Sequence, residues 1–290
     1  MTIDYHRLKQ RQFPEVRQSY TDRDCILYAL GLGLGAAPTD RGQLQFVYEE
    51  GLKAMPSMAA ILGYPGFWMR EADTGIDWKQ LLHGEQRLRL HAPLPSSGTV
   101  IGRMHVKSIT DKGAGKGAIV VTERRLTDAA SGTLLAEIEM LTFCRGDGGY
   151  SAGGQPSDPL DSALPAPPDT EPDAVCDLPS RPESALIYRL SGDFNPLHAD
   201  PEVAAVAGFE RPILHGLATY GIAAHAIIKT CCDYQPERLT ALDVRFSAPV
   251  FPGETIRTEM WRQDDRIAFR ARVLERDRIV LNNGLARIRL

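Results

Sequence analysis

Residues 214–232 read LHGLATYGIAAHAIIKTCC, and this stretch determines the fold more than any other. Nearly all of its residues are apolar or small, and it is long enough for about five helical turns. A helix that is apolar on every side must be buried. Four runs rich in β-branched residues follow it, which predicts an antiparallel sheet. The simplest arrangement wraps that curved sheet around the helix. The runs are residues 239–248, 255–263, 266–275 and 279–290.

The first half of the chain repeats this scheme. Thr21, followed by two acidic residues, is typical of a helix N-terminus, and glycines between residues 31 and 35 end this helix early. The helix should therefore be shorter than its counterpart in the second half. Strand-like runs separated by Gly-bearing turns follow it, so the chain is expected to contain two α+β units. These runs are residues 85–95, 99–108, 118–126 and 134–145.

A segment dense in Pro, Gly, Ser and Asp divides the chain. Residues 146–182 read GDGGYSAGGQPSDPLDSALPAPPDTEPDAVCDLPSRP. Frequent prolines and few apolar residues are typical of a linker. We therefore expect an N-terminal half at residues 1–148, a linker at 149–183 and a C-terminal half at 184–290.

The overall composition excludes several classes of protein. Of 290 residues, 43% are hydrophobic and 24% are charged, as in globular proteins. The formal net charge is −4 and no basic block is present, so nucleic acid is not an expected partner. No apolar run approaches the length of a membrane span, and no membrane partner is expected. Five cysteines without a CxxC pair fit reduced thiols, so the cytoplasm is the expected location.

The densest cluster of polar residues is SGDFNPLHAD, at residues 191–200. Pro196 disfavours helical geometry in the residue before it, and Gly192 frees the backbone. Asp193 and His198 are therefore expected to lie in a constrained loop, where both side chains can be aimed at one point.

A carboxylate and an imidazole that reach the same water molecule can exchange protons with it near neutral pH. Asp193 and His198 are therefore candidate catalytic residues. Asn195 either orients the water or supports the loop, and loop support is the favoured role. Turn formation by Asp193 and Asn195, with a surface His198, is the alternative.

Gly216 lies in the first turn of the expected buried helix. Backbone N–H groups there lack intrahelical partners and lie at the positive end of the helix dipole. The backbone N–H of Gly216 can therefore hold an oxyanion. Helix packing is the alternative reason for a glycine. The adjacent His215 either donates to a substrate or packs, and His225 is expected to be a core histidine.

The sequence around this cluster also resembles a known family. GDFNPLHADPEVAAVAGFERPILHGL, at residues 192–217, resembles the hydratase motif of the MaoC-like, R-specific enoyl-CoA hydratases. The resemblance extends to the first half, where it points to the double hot-dog, type-two enoyl-CoA hydratases of peroxisomal multifunctional enzymes. The matching segments are YALGLGLG at 28–35, LQFVYE at 44–49, LLHGEQ at 81–86 and APLPSSG at 92–98.

The resemblance implies an α+β, double hot-dog fold, in which two curved antiparallel sheets each wrap around a helix. It also implies a lyase that reversibly hydrates trans-2-enoyl-CoA to (3R)-3-hydroxyacyl-CoA. Asp193 and His198 would share the water, and the Gly216 N–H would hold the thioester oxygen. No cofactor is needed. No metal is expected either, because no HExxH or CxxC spacing accompanies the residues at 193, 198, 200 and 215.

The first half has no such cluster, so it is expected to bind the acyl chain. Glu49, His83 and Gly84 are its candidate substrate-binding residues, with an ordinary ion pair or turn as the alternative. A hot-dog thioesterase and a non-catalytic acyl-CoA-binding partner are the competing functions. An acyl carrier protein could replace CoA, although no basic patch supports docking of an acidic carrier. The resembled family often forms dimers, so a homodimer is compatible with the sequence.

Overall fold

Ten strands form one continuous antiparallel sheet in the computed structural model, which describes residues 3–290. The strands are β1 (Val16–Tyr20), β2 (Leu81–Leu90), β3 (Gly98–Asp111), β4 (Ala118–Asp128), β5 (Leu134–Cys144), β6 (Ala174–Pro179), β7 (Leu239–Phe246), β8 (Thr255–Gln263), β9 (Arg266–Val273) and β10 (Arg278–Ile288). The α-helices are α1 (Tyr5–Lys9), α2 (Asp22–Gly31), α3 (Arg41–Leu44), α4 (Ser184–Tyr188), α5 (Pro201–Val206) and α6 (Gly216–Cys231). Short 3₁₀ turns occupy Pro56–Ala60, Trp68–Arg70, Ala72–Thr74, Trp78–Gln80, Tyr150–Gly153, Arg189–Ser191, Pro196–His198 and Pro236–Arg238.

The two halves have the same strand order. Across the sheet the order is β1-β3-β4-β5-β2 and then β7-β10-β9-β8-β6, so each half places its first strand at an edge and its second at the centre. β2 and β7 join the halves by antiparallel pairing, with Leu88 opposite Leu242. This duplicated arrangement confirms the double hot-dog fold that was expected from the sequence.

The helices of the two halves also correspond. α2 begins with a capping box formed by Thr21 and Asp24 and has 10 residues, whereas α6 has 16. The first helix is therefore the shorter one, as predicted. α6 is buried on nearly all sides, and the side chain of Leu32, the residue after α2, packs against it at Gly221, where an added Cβ would lie 2.6 Å from Leu32 Cδ2. A glycine leaves room for the Leu32 side chain at this point.

The structure contains two strands that the sequence did not predict, β1 and β6. Both are short, lie at the two edges of the sheet and pair with only one neighbour, β3 and β8 respectively. β6 falls inside the expected linker, so the last part of that segment is part of the sheet. β1 has 5 residues and β6 has 6, and β6 lies inside a Pro-rich segment, which explains why neither was predicted from the sequence.

The preceding part of the expected linker, residues 149–173, is attached to the protein at several points. The Tyr5 hydroxyl donates to Asp158 Oδ1 at 2.7 Å, and Asn283 Nδ2 donates to the Leu164 carbonyl at 2.6 Å. The Leu164 side chain is buried. The segment therefore forms an extended strap across the sheet, and the division of the chain into halves at 148 and 184 remains a prediction.

Candidate active site

The loop that carries Asp193 and His198 is held by its own short turns. Gly192 has φ +120°, which L side chains rarely adopt. Asp193 Oδ1 accepts from Asn195 N at 3.2 Å, and Asn195 Oδ1 accepts from Leu197 N at 3.1 Å, which caps the 3₁₀ turn Pro196–His198. These contacts produce the constrained loop that Gly192 and Pro196 predict.

His198 is buried and its proton position is defined by a neighbour. Nδ1 lies 2.8 Å from the Ile213 carbonyl oxygen. A carbonyl only accepts, so Nδ1 donates and the neutral ring has its lone pair on Nε2. Burial lowers the pKa of His198 from its ordinary value, and the Ile213 carbonyl and the charge of Asp193 oppose this shift only in part. His198 is therefore a neutral proton acceptor at pH 7.

His215 stacks on His198, with ring centroids 3.7 Å apart and ring planes inclined by 25°. Its Nε2 donates to the backbone carbonyl of Asp193 at 3.1 Å, and its buried Nδ1 has no partner among residues 3–290. Burial and the adjacent His198 lower the pKa of His215. The neutral ring has one N–H group, and the Asp193 carbonyl already accepts a hydrogen bond from it. His215 therefore has no further proton to donate to a substrate oxygen.

Asp193, His198 and His215 converge on one point. One carboxylate oxygen and one nitrogen from each ring lie within 4.8 Å of one another. A water molecule placed between two such atoms is within hydrogen-bond distance of both. A metal ion would instead be bound in the plane of each ring, and the planes of two stacked rings are nearly parallel. This group is therefore better suited to a water molecule than to a metal.

Asp200 does not belong to this group. Its carboxylate caps α5 by accepting from Glu202 N at 2.9 Å. The two acidic residues of the motif thus have different surroundings, since Asp193 borders both histidines and Asp200 stabilises a helix N-terminus.

Gly216 begins α6, as the sequence predicts. The Ala218 and Thr219 amides donate to the His215 carbonyl, whereas the Gly216 amide has no acceptor within the described chain. An added Cβ at Gly216 would lie 3.3 Å from the Phe246 ring. The exposed N–H at a helix N-terminus is suited to binding a negatively charged oxygen.

His83 of the first half also borders this site. A register shift between His83 and Glu85 places a β-bulge at Gly84, which turns His83 towards the inner face of the sheet. The His83 ring lies 4.5 Å from the Phe246 ring. Burial lowers the pKa of His83 to about 4, and the charge of Asp193 is among the influences that oppose the shift. Glu49, in contrast, is exposed in a bend and has no hydrogen bond to the site.

Two tyrosines that the sequence analysis did not select lie behind the histidines. The Tyr188 ring is 4.9 Å from His215, and the Tyr28 ring is 5.6 Å from Tyr188. Tyr28 donates to Ser57 Oγ at 3.0 Å, while the buried Tyr188 hydroxyl has no partner in the described part of the chain. Both tyrosines sit in apolar stretches, so no motif distinguishes them. Their position depends on the packing of α2 against α4.

Within residues 3–290, none of the helices combines the length and apolar character needed to cross a membrane. The fold and the site together define a double hot-dog protein in which the second half carries the cluster of polar residues. Comparison with known families agrees with this description. The MaoC like domain family matches residues 163–283, and the MFE-2 hydratase 2 N-terminal domain family matches residues 18–146.

Similar proteins match almost the whole chain. The chain is 39% identical to enoyl-CoA hydratase 2, peroxisomal, of Arabidopsis thaliana, over 94% of this chain and 92% of the relative. It is 43% identical to 3-hydroxyacyl-thioester dehydratase Y of Mycobacterium tuberculosis, over 91% of both proteins. A solved MaoC-like dehydratase from Phytophthora capsici superposes with a TM-score of 0.85 at 33% identity, covering 98% of both chains. The chain belongs to the MaoC-like family, in its hydratase 2 branch.

Proposed function

We propose that this protein is an enoyl-CoA hydratase, a hydro-lyase that reversibly converts trans-2-enoyl-CoA and water into (3R)-3-hydroxyacyl-CoA. The observation that carries this proposal is the convergence of Asp193 and His198 within 4.8 Å, in a chain related to hydratases over nearly its whole length. The arrangement suits the addition of one water molecule across a double bond.

In this mechanism, the water lies between the Asp193 carboxylate and Nε2 of His198. Its oxygen forms a bond to C3, and one of its protons passes to the Asp193–His198 pair. The double bond between C2 and C3 becomes a single bond, and charge develops on the thioester oxygen. The Gly216 N–H stabilises that charge, and the pair then delivers a proton to C2. The product contains one more hydroxyl group and one more hydrogen than the substrate.

The other side chains of the site support this pair. Asn195 caps the turn that presents His198, and His215 holds the Asp193 backbone, so both are proposed as positioning residues. His83 and Gly84 border the site from the first half, which is proposed to bind the acyl chain. CoA as the thiol carrier, a cytoplasmic location and a homodimer remain predictions.

Loss of the ultraviolet absorbance of a short trans-2-enoyl-CoA tests the proposal. We expect the wild-type protein to remove this absorbance without releasing free thiol. Asp193→Asn should lower the rate by about 100-fold or more, since acid–base groups contribute on the order of 10²- to 10⁴-fold. Asp200→Asn is the matched control, because this residue lies in the same loop but caps α5.

Three results would contradict the proposal. Thiol release would indicate a thioesterase, and Asp193→Asn with wild-type activity would remove the proposed acid–base pair. Unchanged absorbance with every enoyl-CoA offered would point to a binding role. Circular dichroism of both variants separates a catalytic effect from a loss of folding.

A further inference from the structure

Arg124, on β4 of the first half, points into the protein. In an antiparallel sheet, residues opposite each other project to the same face. Arg124 lies opposite Ile138, and Ile138 lies opposite Leu88. Leu88 and Ile138 belong to the main hydrophobic core, so this is the inner face. Arg124 is only 5% exposed there.

The positive charge of Arg124 has little compensation. Nη2 donates to the Ala60 carbonyl at 2.6 Å, and the guanidinium lies 5.3 Å from the centroid of the Tyr64 ring. Nε is buried without a partner, and among residues 3–290 no carboxylate lies within ion-pair distance. Burial lowers the pKa of Arg124 to about 10, so the group is still charged at pH 7. A buried charge without a counter-ion is strongly unfavourable.

The fold itself does not require a charge at this position. In the second half, Phe269 lies opposite Met260 on the inner face, just as Arg124 lies opposite Met104 in the first half. Phe269 is completely buried in the core. The same place in the same fold is thus occupied by a large apolar side chain, which avoids the cost of burying a guanidinium.

Arg124 is one end of a polar stripe on the inner face, which consists of His83, Thr142, Gln86, Thr122 and Arg124. Strand register places the members of the stripe in three successive rows, between the main hydrophobic core and a smaller apolar cluster of the first half. Met140, which lies opposite Gln86 and Thr122, is also directed inwards by this register but is only partly buried. The stripe therefore borders space that the core does not fill.

The other end of the stripe reaches the active site. Burial lowers the pKa of His83, and the negative charge of Asp193 opposes this shift. Burial raises the pKa of Tyr64 to about 12, and the charge of Asp193 adds to this shift. His83 and Tyr64 are therefore both within electrostatic range of Asp193. Arg124 lies two strand spacings across the sheet and four residues along the strand direction from His83, so their Cα atoms are roughly 16 Å apart. An acyl chain of medium length spans such a distance.

We propose that the acyl chain lies along the polar stripe and that Arg124 binds a carboxylate at its far end. This inference rests on the proposed hydratase function and names its substrate class, an enoyl-CoA whose chain ends in a carboxylate. The carboxylate provides the missing counter-charge, and a guanidinium binds it through two parallel hydrogen bonds. A chain that ends in a methyl group leaves the charge of Arg124 uncompensated.

The test compares carboxylate-ended trans-2-enoyl-CoA with methyl-ended trans-2-enoyl-CoA of equal length, across a series of lengths. At the matching length, we expect kcat/KM of the wild-type protein to be at least about tenfold higher for the carboxylate. Arg124→Gln keeps a donor for the Ala60 carbonyl but removes the charge, so it should abolish this preference. Arg124→Lys restores the charge and should restore part of the preference.

Arg125→Gln is the matched control for these variants. Arg125 is the next residue on β4, is exposed on the outer face and faces Glu137 at 3.5 Å. Its removal should leave the ratio of the two kcat/KM values unchanged. Thermal melting of every variant detects misfolding, and the wild-type ratio and Arg124→Lys still test the proposal if Arg124→Gln does not fold.

Hydration of trans-2-butenoyl-CoA distinguishes failure of this inference from failure of the proposed function. If the wild-type protein hydrates no enoyl-CoA, the proposed function is wrong. If it hydrates butenoyl-CoA but shows a ratio near one at every length, the carboxylate site is wrong. A preference that persists in Arg124→Gln, or a higher kcat/KM for a hydroxyl-ended chain, would also overturn the assignment.

Discussion

His198 owes its protonation state to the residues around it. An ordinary histidine is partly charged just below neutral pH, whereas burial lowers the pKa of His198. The Ile213 carbonyl determines which nitrogen carries the proton. His215 covers one face of the ring and holds the Asp193 backbone. The chemistry proposed for Asp193 and His198 thus depends on at least two other residues, Ile213 and His215.

The acid side of the pH profile should reflect this lowered pKa. Neutral His198 is the active form. kcat/KM therefore has its full value above the pKa of His198 in the folded protein and decreases as the pH falls through that pKa. We therefore expect the acid limb to have its midpoint below pH 6.5, the ordinary value for histidine. Initial rates of enoyl-CoA hydration across this range give the midpoint. A midpoint at or above 6.5 would contradict a buried, neutral His198.

His215→Phe should separate positioning from stacking. Phenylalanine keeps an aromatic ring against His198 but cannot donate to the Asp193 carbonyl. We expect kcat to fall by about tenfold to 100-fold, with KM nearly unchanged, because the loop is misplaced while the substrate surface remains. The acid limb should also move, because the displaced Asp193 carries the charge that partly opposes the lowering of the His198 pKa. An unchanged kcat and pH profile would show that the contact at 3.1 Å has no catalytic effect.

At the scale of elements, α6 has two different roles. Its first amide, at Gly216, is exposed beside Phe246, whereas its middle is enclosed by both halves. His225 lies in that middle, 2% exposed, with Nε2 3.4 Å from the Tyr234 hydroxyl. Its location agrees with the prediction of a core histidine. The β-bulge at Gly84 acts in a similar way, because a change of register brings His83 to the inner face.

The stability of the fold should depend on the pH through His225. Burial lowers its pKa to about 4 in the folded protein, compared with 6.5 for an ordinary histidine. Between these values the unfolded chain binds more protons, so stability is lost as the pH falls from 6.5 towards 4. The loss from this residue is about 2 kcal/mol at pH 5.

His225→Leu should reduce that loss. Denaturant unfolding at pH 7.5 and pH 5 gives the difference in the free energy of unfolding, and we expect it to shrink by about 2 kcal/mol in the variant. His105→Leu is the control, because His105 is exposed on β3. An equal pH dependence in wild type and His225→Leu would show that His225 is not held neutral by burial.

At the scale of the whole molecule, the two halves share one sheet and one core. The main hydrophobic cluster extends from Leu88 in β2 to Ile227 in α6. On the outer face, Glu85 of β2 accepts from Arg245 of β7 at 2.8 Å, and Arg89 pairs with the buried Asp243. The strap at residues 149–173 adds contacts to both halves, including those of Tyr5 and Asn283 with its residues.

This continuity predicts one cooperative unfolding transition. Separating the halves would expose the β2 and β7 edges and the shared core together, so neither half should unfold first. Differential scanning calorimetry should give a single peak whose calorimetric and van't Hoff enthalpies agree. Two resolved peaks, or a van't Hoff enthalpy near half of the calorimetric value, would instead indicate two independent domains.

The sequence alone determined the features that depend on neighbours along the chain. The apolar run from residue 214 predicts α6, the alternating runs predict eight of the ten strands, and Gly192 and Pro196 predict the constrained loop of Asp193. Such patterns record burial and backbone geometry within a single element. These features can therefore be predicted without any knowledge of the fold.

Only the tertiary structure determined the features that depend on contacts between distant elements. The edge strands β1 and β6 exist through pairing with one neighbour, and Tyr188 reaches His215 only because α4 packs beside the start of α6. Arg124 looks like any other arginine in the sequence, and strand register directs it into the core. Local periodicity does not contain such information, because burial at these positions is decided by segments that are far apart in the chain and meet only when the sheet closes around its helices.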